Sequence, residues 1–399
     1  MYNAAFDRLV GRIATLTAFS VAAAALAIAT PVFAQTNQRP HLRAYSIVMP
    51  LRGATRQMAR SNALASTTVP MWDFTITASR DNNTYSGSMV GRSPFFHGAR
   101  TTNIQTYIVP LIIQMPAGGI KYDPTVNNTC APAGAPLTLL QQSPIVDTSD
   151  FTMNGVSIGT AQYVDAFQRA NFWTNVEVTG NRYHTVLSPV TTLSAVTVSV
   201  PSGKGISDAV DACGHNGNLG ILALDWFQSY LEDTLIPSLA AQGVGPTSFP
   251  IFLMNDVVMS EDDPPDASNC CVLGYHGAFG LPTQMYAPVD FDTTKVFSGV
   301  SDTSVFAHEV AEFTDDPLGT NPTPLWGHVG QVSGCQNNLE VGDPLTGTLF
   351  PAVKMPNGTT YNLQELAFFS WFFSTPSIGA GGLFSDNGTF TSDAGSICS

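Results

Sequence analysis

Residues 305–317 read Val305-Phe306-Ala307-His308-Glu309-Val310-Ala311-Glu312-Phe313-Thr314-Asp315-Asp316-Pro317. With Asp302 or Thr303 available as N-cap and Pro317 as a stop, the stretch predicts a short helix over residues 304–313. Its apolar members, Val305, Phe306, Val310, Ala311 and Phe313, predict that the helix is half buried. On a helix, His308 and Glu312 are four apart and share a face, so an imidazole and a carboxylate can reach one divalent metal. Glu309 points beside that face, where a general base would stand against an activated water. This is the logic of the zincin HExxH helix with Glu in place of the second His. Carboxylate oxygen is an accepted zinc ligand. The site is nevertheless harder and more anionic than a His/His pair, which brings calcium or manganese within its chemistry and lowers the Lewis acidity of the ion. The same spacing also serves ordinary ion pairing on a polar helix face.

Outward from this helix, the pattern is that of an α+β protein. Residues 224–241 carry apolar positions at helical spacing, with Pro237 expected to kink or split the helix. Residues 250–259 read as a strong apolar strand, and 272–279 and 284–291 as weaker ones. Earlier, 72–79 and 106–114 read as strands, 162–173 as a helix, and 175–178 and 192–200 as strands. Pro356-Asn357-Gly358-Thr359 and Asn387-Gly388 read as tight hairpin turns. The switch in periodicity divides the chain into a polar linker or leader (35–70), a β-rich region (71–215) and a zincin-like region (216–399). In the last, a long helix backs a small mixed sheet and the short helix carries the site.

The N-terminus reads as a cleavable secretory signal peptide over residues 1–34. Arg8 and Arg12 form a basic start, 13–29 are almost wholly apolar, and Val32-Phe33-Ala34 presents small residues at a cleavage site. The mature chain is expected to start at Gln35 and to be secreted or periplasmic, with no later segment able to span a bilayer. The 399 residues are 44% hydrophobic and only 12% charged, with a formal net charge of -14. Such an acidic, lysine-poor chain argues against nucleic acid or anionic lipid as partner. Six cysteines, Cys130, Cys213, Cys270, Cys271, Cys335 and Cys398, predict three disulfides in an exported chain. Cys270 and Cys271 are adjacent, and each is expected to pair with a distant partner.

The string His308-Glu309 to Glu312, then Asp316-Pro317, Trp326 and Glu340-Val341-Gly342-Asp343, resembles a group of exported bacterial proteins with an HExxEAxTDP signature. These are described as zincin-like metallopeptidases, and some are bacterial relatives of the plant phosphate-induced (Exordium-like) proteins. Gly274-Tyr275-His276 and Tyr361-Asn362-Leu363-Gln364 fit the same layout, so the likeness spans about residues 220–398. This chain has Phe313 where Ala is usual and Asp315 where Thr is usual. The resemblance implies a zinc-dependent peptidase. For the third metal ligand Glu340 is the first candidate, with Asp343 bracing a ligand, Asp316 second and His276 third. Glu340–Asp343 can also be read as an exposed acidic turn. His328 is a candidate donor to an oxyanion, or a loop histidine without a role.

Other constellations are weaker. Ser207, Asp211 and His215 hint at a hydrolase triad, but no GxSxG elbow surrounds a serine. Asp262, Asp263 and Asp266 lie in a Pro-rich loop without EF-hand spacing. The leading expectation is a secreted zinc metallopeptidase acting on protein or peptide, with His308, Glu312 and Glu340 as ligands and Glu309 as general base. The alternative is a non-catalytic exported binding or cell-surface protein with a structural metal site. A carbohydrate-active β-rich protein has only the aromatic content behind it and would need an aromatic platform beside paired carboxylates.

Overall fold

Residues Gln284–Phe291 form a fully buried strand, and so do Ser248–Asn255. Near-continuous apolar runs of this kind belong to strands covered on both faces. The two are parallel to each other. Ser248–Asn255 is also parallel to the 17-residue strand Gly98–Gln114. On its other edge Gly98–Gln114 pairs in parallel with Asn181–Thr192 and then with Val196–Ser199. Gly277–Phe279 closes one end of this seven-stranded sheet, antiparallel to Gln284–Phe291, and Lys121–Tyr122 is its seventh strand, antiparallel to Gly98–Gln114. The structure, a computed structural model, describes residues 42–398 except 46, 50, 65, 128, 129, 132, 211–214, 216, 396 and 397. The expected signal peptide and the start at Gln35 lie outside the described residues.

Alternation along the strands builds the two faces of the sheet. Phe249, Ile251 and Leu253 join one core with Met285, Ala287 and Val289. Phe252, Met254 and Tyr286 join the other. The second core takes the helical segment that starts at Leu224, through Phe227, Leu231, Leu235, Ile236 and Leu239. The first takes the helix Ser304–Asp315 and the helix Tyr163–Asn171. The helix carrying the His308 motif and the long backing helix therefore lie on opposite faces of one sheet. Midway along, the long helix widens into a π turn at Leu231–Leu235 just before Pro237, whose missing N–H cannot bond back.

A second, four-stranded sheet runs Cys270–Val272, Val257–Ser260, Asn218–Ala223, Gly205–Ala209. The single strand expected over 250–259 is thus two strands in two sheets. Asp256, at φ 55°, turns the chain between them. The strand expected over 175–178 is replaced by a helical turn, Trp173–Val176, in which the Asn175 and Val176 N–H groups both donate to the Phe172 carbonyl. Local bonds there override β-branched propensity. Asn387-Gly388 turns the chain without joining two strands, whereas Pro356–Thr359 links Leu349–Lys354 to Thr360–Gln364.

The leader is tied to this body. Arg56–Leu64 is a helix. Arg43 and Tyr45 donate backbone N–H groups to the carbonyls of Cys270 and Cys271, and Arg52 donates to Ala278. The Arg52 side chain pairs with the buried Glu232. The described residues cluster as one unit, so the boundary expected between 215 and 216 falls inside it, and the central sheet takes strands from both sides of it.

Cys335 is bonded to Cys398, and Cys270 to Cys271. Cys130 is also disulfide-bonded. This corrects the expectation of distant partners for Cys270 and Cys271. Their Cα atoms are 3.1 Å apart, and Cys335 and Cys398 are spent on each other. Among the described residues, no helix is long and apolar enough to cross a membrane.

Candidate metal centre

The site helix runs Ser304–Asp315, and every residue in it is buried rather than half buried. Thr303 occupies the N-cap position, but its hydroxyl donates to the Asn362 carbonyl instead of capping the helix. The helix packs against Gln284–Phe291 beneath it and Thr360–Gln364 beside it. At its far end Asp316 leaves helical geometry and Pro317 follows. One face of this rod carries His308, Glu309 and Glu312 into a small cavity of about 30 Å³.

Each side chain is braced. His308 Nε2 lies 3.0 Å from Glu312 Oε2. Its other nitrogen, Nδ1, lies 3.1 Å from Gln364 Oε1, and Gln364 in turn donates to the Gly342 carbonyl. With Nδ1–H donated to Gln364, Nε2 is the nitrogen that would give its lone pair to a metal in place of a proton, the usual arrangement of a metal-ligating histidine. Glu312 Oε1 accepts the Gly342 and Asp343 N–H groups at 3.0 and 3.2 Å, which leaves Oε2 turned inward. Gly342 packs so closely on the ring that a Cβ there would sit 2.5 Å from His308 Nδ1.

The other expected residues come to the same place. His276 Nδ1 is 3.8 Å from both Glu309 Oε2 and Glu312 Oε2. Its Nε2 is 2.9 Å from the Asp316 carbonyl and 4.0 Å from Glu340 Oε2. Asp343 Oδ1 is 3.5 Å from His308 Nε2, and the carboxylate accepts hydrogen bonds from Gln331 and Gln336. The Asp316 carboxylate accepts the Thr320 and Asn321 N–H groups and so faces away into its own loop. Glu340 Oε1 accepts Asn338 Nδ2 at 2.9 Å, whereas its Oε2 is buried without a hydrogen-bond partner. Glu340 and Asp343 are each 1% exposed, so the stretch is no exposed acidic turn. Two sets can hold an ion with one ligand atom from each residue, all within 4.8 Å: His308, Glu309 and Glu312, and His276, Glu312 and Glu340.

The electrostatics are one-sided. Glu309, Glu312, Asp316, Glu340 and Asp343 are buried together, and the ion-pair partners of this group among the described residues are His276 and His308. Burial, then Glu312 and Asp316, pushes the Glu340 carboxyl well above its ordinary range. Burial followed by Glu312 takes Asp343 up to about 7, and burial takes Asp316 up to about 6. Burial also raises Glu309 against the pull of His308. Burial alone would lower His308, but Glu312 and Glu309 hold it well above the usual imidazole value. His276 is raised in the same way: burial opposes its charge, and Glu309 and Glu312 outweigh it. Glu312 alone is lowered, because His308 beside it outweighs burial. Such a set holds its charge only with protons or with a cation. The donors present, imidazole nitrogen and carboxylate oxygen, suit a divalent ion.

Two further groups are accounted for otherwise. His328 is exposed beside Cys335, whose sulfur is already in a disulfide. Ser207 is bonded to Tyr122 and His215 to Asn255, while Asp211 lies outside the described residues. Sequence reasoning missed the bracing roles of Gln331, Gln336, Asn338 and Gln364. Amides carry no spacing signature, and only Gln364 was within a quoted motif.

No family model, curated protein or solved structure matches this chain.

Proposed function

We propose that the chain is an exported metal-dependent hydrolase, zinc-dependent and acting on peptide bonds, of the zincin-like kind that its HExxE string resembles. One observation carries the reading: two imidazoles and five carboxylates are buried in one cluster, His308, Glu309, Glu312 and Asp343 of them lining the cavity, and no Lys or Arg among the described residues forms an ion pair with them. When bound, zinc supplies a Lewis acid for a scissile carbonyl and acidifies a water. His308 and Glu312 would hold the ion, with Gln364 fixing the ring and the Gly342 and Asp343 amides fixing the carboxylate. Glu309 takes the water's proton and passes it to the leaving amine. Its raised pKa fits a group that must exchange protons. Export is supported by the disulfides.

A second reading, a non-catalytic exported binding or cell-surface protein with a structural metal, is favoured by the small volume of the cavity. Ala44, Tyr45 and Ile47 form part of its wall. Metal analysis and peptide hydrolysis by the wild type, His308→Ala and Glu309→Gln decide between the readings. Under the hydrolase reading, His308→Ala loses zinc, whereas Glu309→Gln keeps zinc and melting temperature and loses about two to four orders of magnitude in rate. Loss of zinc in both variants makes Glu309 a ligand and supports the structural reading. No zinc in the wild type removes both.

A further inference from the structure

We propose that this centre takes two divalent cations, bridged by Glu312. The inference rests on the metal-binding half of the reading above but not on hydrolysis. Its starting point is which oxygens already have partners. Glu312 Oε1 is occupied by two backbone amides, the Asp316 carboxylate by the Thr320 and Asn321 amides, and Glu340 Oε1 by Asn338. The oxygens left facing the two imidazoles, without a backbone or side-chain amide donor, are Glu312 Oε2, Glu309 Oε2 and Glu340 Oε2. Glu340 Oε2 is the decisive one, since it is fully buried with no hydrogen-bond partner. A buried carboxylate oxygen left unpaired costs more than a kcal/mol, and an ion would satisfy it.

The donors then sort into two sets rather than one. His308, Glu309 and Glu312 form the first, and His276, Glu312 and Glu340 the second. Glu312 Oε2 stands between them, 3.0 Å from His308 Nε2 and 3.8 Å from His276 Nδ1. Zinc is usually held by four ligands at about 2.0–2.2 Å, so a single ion has no use for His276, His308, Glu309, Glu312, Glu340 and Asp343 together. Charge points the same way. One dication balances two of the five buried carboxylates, while two dications balance four. Asp316, the fifth, is the one turned onto backbone amides. The first ion takes His308, Glu312 and either Glu309 or Asp343. The second takes His276, Glu340 and Glu312. Ions bridged by one carboxylate are a recurrent arrangement in hydrolytic and redox centres built from Glu and His.

Zinc titration of the chelator-stripped full chain tests this, with zinc per chain as the readout. Two equivalents are expected for the wild type, one for Glu340→Gln and one for His276→Ala. Glu340→Gln keeps size and packing, and its circular dichroism reports whether it folds. Where it does not fold, the manganese(II)-loaded wild type decides by electron paramagnetic resonance: an exchange-coupled pair supports the proposal and an isolated six-line spectrum overturns it. One equivalent in the wild type, or two in both wild type and folded Glu340→Gln, overturns the bridged pair but leaves a single-ion hydrolase standing. No bound zinc in the wild type overturns both.

Discussion

Gly342 shows how a residue with no chemistry of its own can set a site. Its φ of −85° is open to any residue, so conformational freedom does not explain it. Space does, because a methyl group there would overlap the His308 ring. Its N–H and carbonyl also hold Glu312 and Gln364 in place. Gly342→Ala is therefore expected to displace the ring, weaken zinc binding at least tenfold and cost about 1–3 kcal/mol, as overpacking does. Gly334→Ala is the control, since a Cβ there meets nothing within 4 Å. Equal zinc affinity in the two variants would show that the ring does not depend on this contact. At this scale much of the site was legible. His276, His308, Glu309, Glu312, Asp316, Glu340 and Asp343 were all singled out from the motif and the resemblance, and the structure places them in one buried cluster, with the Asp316 carboxylate turned onto its own loop. What spacing could not convey is that Glu340 is buried and half unpaired, because burial of a loop carboxylate depends on distant chain.

The site helix is held by an interaction that its motif did not advertise. Phe313 stacks on Phe249 of the central sheet, with ring centroids 3.6 Å apart and planes within 7°. The Asp315 carboxylate accepts hydrogen bonds from Gln168 and Asn171 on the neighbouring helix Tyr163–Asn171. These are the two positions at which the chain departs from the HExxEAxTDP string. Both departures look outward from the helix, one to the sheet and one to the adjacent helix, and leave the face carrying His308 unaltered. Phe313→Ala should cost about 3–5 kcal/mol in denaturant unfolding, the usual loss for a buried Phe, while retaining zinc at low temperature. A loss below 1 kcal/mol would mean the stack is not what seats the helix. Elements with strong local patterns, 284–291 and 304–313, were legible within two residues at either end. The 250–259 run was not, because Asp256 turns the chain between two sheets and no period records a change of sheet.

At the scale of the whole molecule, the sequence suggested a division that the sheet does not respect. Parallel pairing of Gly98–Gln114 with Ser248–Asn255 joins chain segments from either side of it, and pairings so far apart in sequence leave no local trace. The leader shows the same effect. Its polar composition hides a run of backbone bonds to Cys270, Cys271 and Ala278 and an ion pair to Glu232. Because Ala44, Tyr45 and Ile47 form part of the cavity wall, that attachment is expected to limit how fast a bound ion could leave. On that expectation, an ion held there would leave no faster than this strap peels back. With a strong chelator in excess, the rate of metal loss should climb with chelator concentration and then level off at the strap's own opening rate. Arg52→Ala, by removing its anchor, should raise that plateau several-fold without changing the cluster, and stopped-flow release of zinc to a dye measures both. A rate that keeps rising in proportion to chelator would mean that the metal is reached by another door.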